Sequence, residues 1–491
     1  MNRIIWMLAL LFATVCLKAG EFTVVTYNVE NLFDLDGVAE FSEYRQEPEG
    51  DYGLVQLMKK LEHIHETLSA FNDGAGPEII LFQELELDRT PFGTPDAEAF
   101  LKSTKGQSIR ELLERNSWAR NLPSDLILLK YLEDKGMTGY EVARPDSSIM
   151  EYHPAHQNVT FSRYPIKYVR QRPMLDARDM LVTGVDVDGH ELVLLNNHWK
   201  SGASDARTEP IRVQNALVVR AEVEAILFRN PDADVILAGD FNCYYNHGPA
   251  CPDMPRTGMT DILQPHGFEE KMTGEDASGL YNLWFELPDK ERGSEVWRGQ
   301  WGTLMQMILT PGLYDNKGVQ YVDNSFNRLI LPGRNVEDRW GTPISWTNWG
   351  TGAGYSDHLA VYARFKAVGE GEGWMELDKP SREKLSAYRP RVNYSKMNRK
   401  AVPEINTIAK LPDSEKADKI ASLFRIDQKI EKTKPVRIRV GDQLLEVYSP
   451  ISSIRDSLNK MQPGDKLTTL ATLGDWRGNL QVVIQDSSWM K

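Results

Sequence analysis

Five short polar motifs, each at one end of an apolar run, contain the candidate catalytic and metal-binding side chains of this chain. In chain order they are TYN at 26–28, QE at 83–84, NNH at 196–198, GDFN at 239–242 and SDH at 356–358. Together they supply carboxylates for a hard cation, a carboxylate to activate water, amides for orientation and two imidazoles. Metal-assisted cleavage of a phosphoester needs these parts, although no single motif would indicate that reaction alone.

The first two motifs predict a metal site. Glu84 stands where the apolar run EIILFQE leaves the predicted core, so its carboxylate can face a cleft and hold Mg²⁺. The amide of Asn28 can support the same ion or its water. An isolated glutamate at a strand end is more often a solvated charge, so this prediction depends on the other motifs.

The GDFN motif predicts the group that activates water. Asp240 follows the apolar run DVILAG, and it can orient a water molecule and accept its proton. Asn242 returns to the same side one pleat later, where it can hold the phosphate or the water. The commoner role of a lone Asp-x-Asn is an Asx turn that closes a strand.

Two histidines are the candidate phosphate contacts. His198 ends the run VLLNNH, and His358 follows Asp357 at the start of HLAVYARF. Asp357 can bind the metal or orient the neighbouring imidazole. Either histidine alone would more often be structural, but two at the ends of separate strands favour a site.

These motifs require strands whose ends meet. Residues 21–366 alternate short runs rich in Val, Ile and Leu with helical patterns at 54–70 and 207–228. The alternation predicts an α/β fold with layered packing.

The N-terminus predicts export. An apolar stretch at 4–17 follows Arg3, and the small residues Ala19 and Gly20 come next. This is typical of a secretory signal peptide and too short for a conventional membrane span. We expect residues 1–20 to be a signal peptide and the protein to be periplasmic or extracellular, with no stable membrane span. A buried N-terminal element is the alternative.

In an oxidising compartment, we expect Cys243 and Cys251 to form a disulfide directly after GDFN and to stiffen that corner of the site. Two free thiols are the alternative.

Charge divides the chain near residue 366. The net charge is −13, but residues 366–491 carry 23 Lys and Arg against 17 Asp and Glu, so the tail is net +6 and the remainder net −19. We predict a catalytic region at 21–366, a basic linker with helical segments at 367–434 and a small β-rich, OB-like domain at 435–491. Basic residues concentrate at 379–400.

The spaced set TYN, QE, NHWKSG, GDFN and SDHLAV resembles the endonuclease/exonuclease/phosphatase superfamily, which has the deoxyribonuclease-I-like fold. The resemblance spans nearly all of 21–366. It implies a four-layer α/β sandwich of two packed mixed sheets. It also implies metal-site roles for Asn28, Glu84 and Asp357, a water-activating role for Asp240 with Asn242 as its partner, and phosphate contacts from His198 and His358.

The same resemblance extends to substrate contacts and contains one departure. Arg178 loosely matches a phosphate-contacting position of the family, and we predict Asn158 as a second substrate-binding residue. Met305 stands where an aspartate normally orients the final histidine, and methionine cannot accept such a hydrogen bond. His358 is therefore expected to have another orienting group, for which Gln306 is a candidate.

The sequence predicts an exported nuclease that hydrolyses DNA or RNA with Mg²⁺, or with Mn²⁺ or Ca²⁺ in its place. The basic tail, with Tyr388 and Tyr394, suits a nucleic-acid partner, whereas the acidic catalytic region opposes one. A secreted phosphatase, a phospholipid phosphodiesterase and a non-catalytic binding protein with a degenerate site are the alternatives. The oligomeric state is left open.

Overall fold

The computed structural model describes residues 20–45, 52–89, 95–150, 154–251, 253–338, 341–346, 354–378, 398–402, 404–405, 423–441, 443–476 and 479–490. The expected signal peptide, apart from Gly20, lies outside these residues, as do Tyr388 and Tyr394 and most of the basic segment at 379–400. In the part of the chain that is described, no helix is long and apolar enough to cross a membrane.

Two mixed sheets form the N-terminal region. The first has the order β13-β15-β1-β2-β4-β3, with β14 paired to β15. Its strands are β1 (Glu21–Leu32), β2 (Ile79–Glu86), β3 (Glu141–Ala143), β4 (His156–Ser162), β13 (Asp315–Tyr321), β14 (Asn327–Arg328) and β15 (Val361–Trp374). The second has the order β5-β6-β7-β8-β12-β9. Its strands are β5 (Ile166–Arg172), β6 (Met180–Val187), β7 (His190–His198), β8 (Asp234–Asp240), β9 (Tyr281–Asn282) and β12 (Met305–Leu309).

Each sheet contains one parallel pair near its centre, β1 with β2 and β7 with β8, and the other pairs are antiparallel. A separate hairpin consists of β10 (Glu295–Trp297) and β11 (Gln300–Gly302).

Seven α-helices accompany the strands in the described residues. They are α1 (Leu54–Leu68), α2 (Ala97–Ser103), α3 (Ile109–Arg115), α4 (Ser124–Asp134), α5 (Glu209–Arg229), α6 (His247–Ala250) and α7 (Ser452–Lys460). Shorter turns of 3-10 helix occur at Ser42–Tyr44, Asn72–Gly74, Ser117–Asn121, Ser147–Ile149, Glu269–Lys271, Leu283–Glu286, Asp289–Glu291, Pro311–Tyr314, Arg399–Ala401 and Ser487–Trp489, and a π-helix spans Gly258–Leu263. The helical patterns at 54–70 and 207–228 therefore correspond to α1 and α5.

Strand alternation decides which side chains lie between the sheets, because successive residues point to opposite faces. Every second residue of the central strands enters the core between the sheets, including Phe22, Val24, Ile79, Leu81, Leu192, Leu194, Ile236, Ala238, Met305 and Met307. The intervening residues, such as Val25 and Val193, pack on the outer faces. There α1 and α4 cover the first sheet and α5 covers the second. The four-layer α/β sandwich is confirmed.

The C-terminal region is a closed five-stranded barrel with the order β16-β17-β18-β20-β19. Its strands are β16 (Leu423–Thr433), β17 (Val436–Val440), β18 (Gln443–Tyr448), β19 (Lys466–Trp476) and β20 (Asn479–Val483). Helix α7 connects β18 to β19, and β18 pairs with β20 in parallel. This confirms the OB-like barrel. Its first strand lies within the segment predicted as a linker, and β15 continues past residue 366.

Candidate active site

The alternation that builds the core also places three candidate catalytic side chains. On β1, β7 and β8, every second side chain points into the core between the two sheets. Asn28, His198 and Asp240 continue these three rows at the edge of the core. One pleat before His198, Asn196 Oδ1 accepts a hydrogen bond from Gln83 Nε2 at 2.7 Å, which joins the two sheets. The three candidates lie just beyond this buried polar layer, at one edge of the sandwich.

Glu84 reaches the same edge because the backbone of β2 is irregular there. The pairing of β2 with β4 shifts between Phe82 and Leu85, and Glu84 has a φ of 65°, in the left-handed region that few residues other than glycine adopt. Asn28 Nδ2 donates to Oε1 of Glu84 at 3.0 Å and to Oδ2 of Asp240 at 3.1 Å. One amide therefore holds two carboxylates together.

The GDFN turn fixes the orientation of Asp240. Gly239 has a φ of 135°, and a Cβ there would lie 2.0 Å from the backbone oxygen of Asn197, so this position requires glycine. Oδ1 of Asp240 accepts a hydrogen bond from the backbone N–H of Asn242 at 2.8 Å, while Oδ2 faces Asn28. Asp240 therefore forms the Asx turn and also contributes a carboxylate oxygen to the site. The Asn242 amide donates to the backbone oxygen of Trp199 at 3.2 Å.

Two imidazoles flank the Asp240 carboxylate. Nε2 of His198 and Nε2 of His358 each lie 3.6 Å from Oδ2 of Asp240, and His198 Nε2 is also 3.7 Å from Oε1 of Glu84. Both histidines are buried. The site therefore places a carboxylate between two potential hydrogen-bond donors.

The two imidazoles differ in charge. Burial lowers the pKa of His198 well below its usual value, and the nearby positive charge of Arg178 lowers it further. Burial also lowers the pKa of His358, but the carboxylates of Asp357 and Asp240, with others nearby, outweigh it and raise that pKa to about 9. At neutral pH His198 is neutral and His358 is a cation.

The SDH motif is held by hydrogen bonds to β1. Ser356 Oγ donates to the backbone oxygen of Asn28 at 2.7 Å, and the backbone N–H of His358 donates to Ser356 Oγ at 3.0 Å. The Asp357 side chain remains half-exposed, with Oδ1 3.8 Å from His358 Nε2. Its backbone N–H donates to Oε2 of Glu30 at 2.7 Å.

Sequence reasoning missed Glu30, a buried carboxylate two residues after TYN. It accepts hydrogen bonds from Ser345 Oγ at 2.6 Å and from the backbone N–H groups of Trp346 and Asp357, both at 2.7 Å. Glu30 therefore fixes the loops that carry Asp357. The run NVEN contains no pattern that distinguishes this role from a solvated charge.

The predicted substrate contacts lie beside the cluster. Nη2 of Arg178 is 3.2 Å from Nδ1 of His156, and the guanidinium is near enough to Glu84 to oppose the rise in that residue's pKa. Asn158 donates to the backbone oxygens of Asp179 at 2.9 Å and Asn196 at 3.3 Å. Its buried Oδ1 has no hydrogen-bond partner among the described residues.

Met305 lies beside Asp240 in the second sheet but cannot accept a hydrogen bond from a histidine as an aspartate would. It is fully buried in the core between the sheets and pairs with Asp240 in the antiparallel register of β12 and β8. The prediction that Gln306 orients His358 is wrong. Its side-chain amide accepts a hydrogen bond from Asn282 Nδ2 at 2.6 Å and donates one to the backbone oxygen of Cys243 at 2.5 Å. As the next residue along the strand, Gln306 points to the opposite face.

A different carboxylate faces His358. Oε2 of Glu295, on the β10–β11 hairpin, lies 4.0 Å from Nδ1 of His358, and the two residues form an isolated antiparallel bridge. Burial raises the pKa of Glu295 to about 7, against the opposing effects of His358 and Ser294. Sequence reasoning missed Glu295, since nothing in the run GSEVW marks this position.

The expected disulfide is also wrong. Cys243 and Cys251 are both buried, and no disulfide bond joins them. Burial raises the pKa of the Cys243 thiol well above its usual value, so it is protonated and inert as a nucleophile at neutral pH. The corner after GDFN is instead held by a buried ion pair between Glu209 and Arg212, 2.7 Å apart, with His247 Nε2 3.1 Å from the same Glu209 oxygen.

The donor set suits a hard divalent cation. Glu84 and Asp240 share the Asn28 amide, and Asp240 and Asp357 both lie within 4 Å of His358 Nε2. Burial raises the pKa of Glu84, and the Asp240 carboxylate adds to the rise, although Arg178 and Asn28 oppose it. Mg²⁺ prefers carboxylate oxygens of this kind as ligands.

Comparison with a family model agrees with this geometry. Residues 125–367 match the model described as the Endonuclease/Exonuclease/phosphatase family. This part of the chain belongs to the endonuclease/exonuclease/phosphatase superfamily. The matched residues include His198, Asp240 and His358, whereas Asn28 and Glu84 precede them and are joined to the superfamily site by the fold.

Solved structures of the superfamily are similar at low identity. Truncated TDP2 from Caenorhabditis elegans covers 71% of this chain and 98% of its own, with 14% identity and a TM-score of 0.38. The human Nocturnin catalytic domain covers 70% and 93%, with 13% identity and a TM-score of 0.35. A family protein from Bacteroides thetaiotaomicron covers 73% and 99%, with 13% identity and a TM-score of 0.37. No curated protein matches the chain.

Proposed function

We propose that this protein is an exported, Mg²⁺-dependent phosphodiesterase that hydrolyses nucleic acid by direct attack of water. One observation carries the proposal: side chains from β1, from β7 and from the segment just before β15 converge on the carboxylate at the end of β8. Asn28, His198 and His358 each have a polar atom within 3.6 Å of Asp240 Oδ2. This is the combination of acceptor and donors that phosphoester hydrolysis uses.

Asp240 is the group that orients the water and accepts its proton. Its two oxygens have separate tasks, because Oδ1 accepts the Asn242 N–H and Oδ2 faces Asn28, His198 and His358. The hydrogen bond from Asn28 holds Oδ2 in place before substrate binds. Asp240 is therefore already in position before substrate binds. Preorganisation of this kind is usually the largest contribution to electrostatic catalysis.

The histidines take different parts in the transition state. His358 is a cation, so its Nε2–H can stabilise the negative charge that develops on the phosphoryl oxygens or donate a proton to the leaving oxygen. His198 is neutral, so it contributes a hydrogen bond without a full charge. Asn158 Oδ1, which lacks a partner in the described residues, and Arg178 are the further contacts proposed for substrate.

Glu84 and Asp357 would hold the divalent cation, with Asn28 supporting the Glu84 carboxylate. When bound, the ion neutralises charge on the phosphoryl group. We propose Mg²⁺ because every donor is an oxygen, and Mn²⁺ or Ca²⁺ can occupy similar donor sets.

Nucleic acid is the proposed substrate for three reasons. The N-terminal sequence predicts export, the NHWKSG run resembles extracellular nucleases of the superfamily, and the tail is net +6 and includes an OB-like barrel. OB folds bind oligonucleotides and oligosaccharides. The net charge of −19 on the remainder of the chain weakens polyanion binding, so we expect the cation to be essential for substrate affinity as well as turnover.

The proposal is tested with the purified mature chain on supercoiled plasmid, single-stranded RNA and a phosphate monoester, each with Mg²⁺, Mn²⁺, Ca²⁺ or EDTA. We expect nicking of the plasmid or cleavage of the RNA with Mg²⁺ and none with EDTA. Glu84→Gln should abolish cleavage at the same Mg²⁺ concentration. Phosphate release without nicking or RNA cleavage would make it a phosphatase, and choline-phosphate release from sphingomyelin would make it a phospholipid phosphodiesterase.

Absence of turnover on every phosphoester and with every metal would favour a non-catalytic binding protein. The replacement of an orienting aspartate by Met305 is the observation that motivates this alternative.

A further inference from the structure

His358 is oriented at one ring nitrogen only. Nε2 faces the carboxylates of Asp240 and Asp357, whereas Nδ1 is buried without a hydrogen-bond partner among the described residues. Buried polar atoms in folded proteins are nearly always paired, so an unpaired ring nitrogen at a catalytic position needs an explanation. Among the described residues, the acidic side chain that lies within 4.0 Å of Nδ1 is Glu295, which is the candidate partner.

The Glu295 carboxylate is held by its own hairpin. Oε2 accepts a hydrogen bond from Ser294 Oγ at 2.5 Å and another from the backbone N–H of Leu304 at 3.1 Å. The backbone oxygen of Ser294 accepts from the N–H of Leu359, the residue after His358, at 2.6 Å. These bonds tie the carboxylate and the histidine to the same pair of backbone segments.

Met305 and Glu295 are linked through the same serine. The backbone N–H of Met305 donates to Ser294 Oγ at 3.1 Å, and Ser294 Oγ donates to Glu295 Oε2. The strand position that would carry an orienting aspartate is apolar, and a carboxylate from the adjoining hairpin faces the same imidazole instead. Through Ser294, the Glu295 carboxylate is therefore linked to the backbone of the strand position that Met305 occupies.

We propose that Glu295 is the positioning residue of His358 and replaces the acidic side chain that Met305 lacks. Its carboxylate accepts the Nδ1–H of the imidazole and so presents Nε2–H to the phosphoryl group. The 4.0 Å separation is longer than a hydrogen bond, and such bonds often tighten only when substrate is bound. This inference rests on the proposed function for its kinetic consequence but not for the contact itself.

The hairpin that carries Glu295 is also held at its tip. Arg298 Nη1 lies 2.6 Å from Oδ2 of Asp486, in the C-terminal region, and a Cβ added to Gly299 would lie 3.1 Å from Thr472 of β19. The barrel therefore restrains one end of the hairpin while His358 contacts the other. A rigid support of this kind is what a positioning residue requires.

The kinetic test compares Glu295→Gln with a matched control, Glu286→Gln. Burial raises the pKa of Glu286 well above its usual value, so a neutral amide resembles its protonated form. We expect Glu295→Gln to lower kcat by about 10- to 100-fold, as loss of an outer partner of a catalytic group typically does, with KM changed less than about twofold. Glu286→Gln should retain the wild-type kcat.

Rescue distinguishes positioning from a structural role. Adding Met305→Asp to Glu295→Gln restores a carboxylate beside His358 from the other backbone position, so kcat should recover. Glu295→Asp, which keeps the charge but shortens the side chain, should fall between the wild type and Glu295→Gln. If Glu295→Gln keeps the wild-type kcat while His358→Gln loses activity, or if the double variant shows no recovery, Glu295 does not position His358.

A measurement without turnover separates this inference from the proposed function. In protein labelled with ¹⁵N-histidine, His358→Gln identifies the ring signals of His358. We expect a downfield Nδ1–H resonance that Glu295→Gln shifts or removes and Glu286→Gln leaves unchanged. If the protein hydrolyses no phosphoester, this resonance still decides the contact, and identical His358 signals in wild type and Glu295→Gln would overturn it.

Discussion

The two sides of the proposed active site contain the same kind of side chain but are built differently. On one side, His198 ends a regular strand and is paired with Asp240 in the parallel register of β7 and β8. On the other, His358 precedes β15, and its neighbours come from a separate hairpin and from the loop held by Glu30. A histidine on a strand takes its position from the sheet, whereas a histidine in a loop needs partners of its own.

The difference extends to charge. His198 faces Glu84 and Asp240 but lies near the guanidinium of Arg178, and burial keeps it neutral. His358 is surrounded by carboxylates and is protonated. Two imidazoles at equal distance from the same Asp240 oxygen therefore have opposite protonation states, which supplies an acid and a neutral donor within one cluster.

The largest effect is expected from Asp240→Asn, which removes the group common to both sides. We expect kcat to fall by at least about 10³-fold, because loss of a general base costs 10²–10⁴. The matched control is Asp234→Asn at the other end of β8, where burial raises the pKa of the carboxyl to about 8 and the amide resembles the protonated acid. Activity of Asp240→Asn near that of Asp234→Asn would contradict the assignment. Circular dichroism and thermal unfolding would show whether both variants fold.

The next effect separates the two histidines. His198→Gln and His358→Gln should each lower kcat by about 10²- to 10³-fold, with the larger loss for His358 because it contributes a full positive charge. Steady-state kinetics at saturating Mg²⁺ measures both. A larger loss for His198→Gln would mean that the charge difference between the two sides does not govern the chemistry.

The opposite pKa shifts predict opposite effects of pH on stability in EDTA. His358, whose folded pKa is raised to about 9, stabilises the fold fully below about pH 6.5, and this contribution is lost as pH rises towards 9. The contribution of His358 to the free energy of unfolding is about 3 kcal/mol at most. His198, whose folded pKa is lowered, favours the fold above about pH 6.5 and destabilises it as pH falls below that value.

Urea unfolding at pH 5.5, 7 and 9 tests these signs. The stability lost in His358→Gln should be largest at pH 5.5 and 7 and shrink by pH 9, whereas His198→Gln should gain stability relative to wild type at pH 5.5. The same pH dependence in both variants would show that the two imidazoles have similar environments.

The smallest effect is expected from Arg298→Ala, which affects only the His358 side. The variant removes the ion pair that joins the hairpin tip to Asp486, and a partly exposed pair contributes less than about 1 kcal/mol to stability. We expect kcat to fall by about two- to fivefold through looser support of Glu295. Lys290→Ala, at an exposed neighbouring position, is the control. An equal change of kcat in both variants would show that the contact with the C-terminal region does not influence the activity.

Regular parts of this molecule follow from local sequence rules, and irregular parts do not. The alternation of β7 and β8 places His198 and Asp240 on the inner face, so their meeting could be predicted from the motifs and strand period. The layered α/β packing and the β-rich C-terminal region follow from similar patterns, whereas the four-layer arrangement was implied by the resemblance to the superfamily. The first barrel strand at 423–433 was missed because its run of charged residues looked like linker.

The His358 side could not be predicted because its contacts join distant segments of the chain. Glu30 and Glu295 are ordinary acidic residues in the sequence, and only the folded chain brings them to Asp357 and His358. Met305 indicated that a partner was missing but not where it was. The disulfide was wrongly predicted from the short spacing of Cys243 and Cys251, since spacing does not report whether the two thiols face each other.

The left-handed backbone of Glu84 has a consequence for how such a protein can be changed. A non-glycine residue held in a sparsely populated backbone region costs of order 1 kcal/mol, and glycine would remove that cost. The residue proposed to hold the cation is therefore also one of the places where the fold could become more robust. A library screened for heat resistance alone that selected Glu84→Gly would lose a carboxylate proposed to hold the cation, together with its hydrogen bond from Asn28.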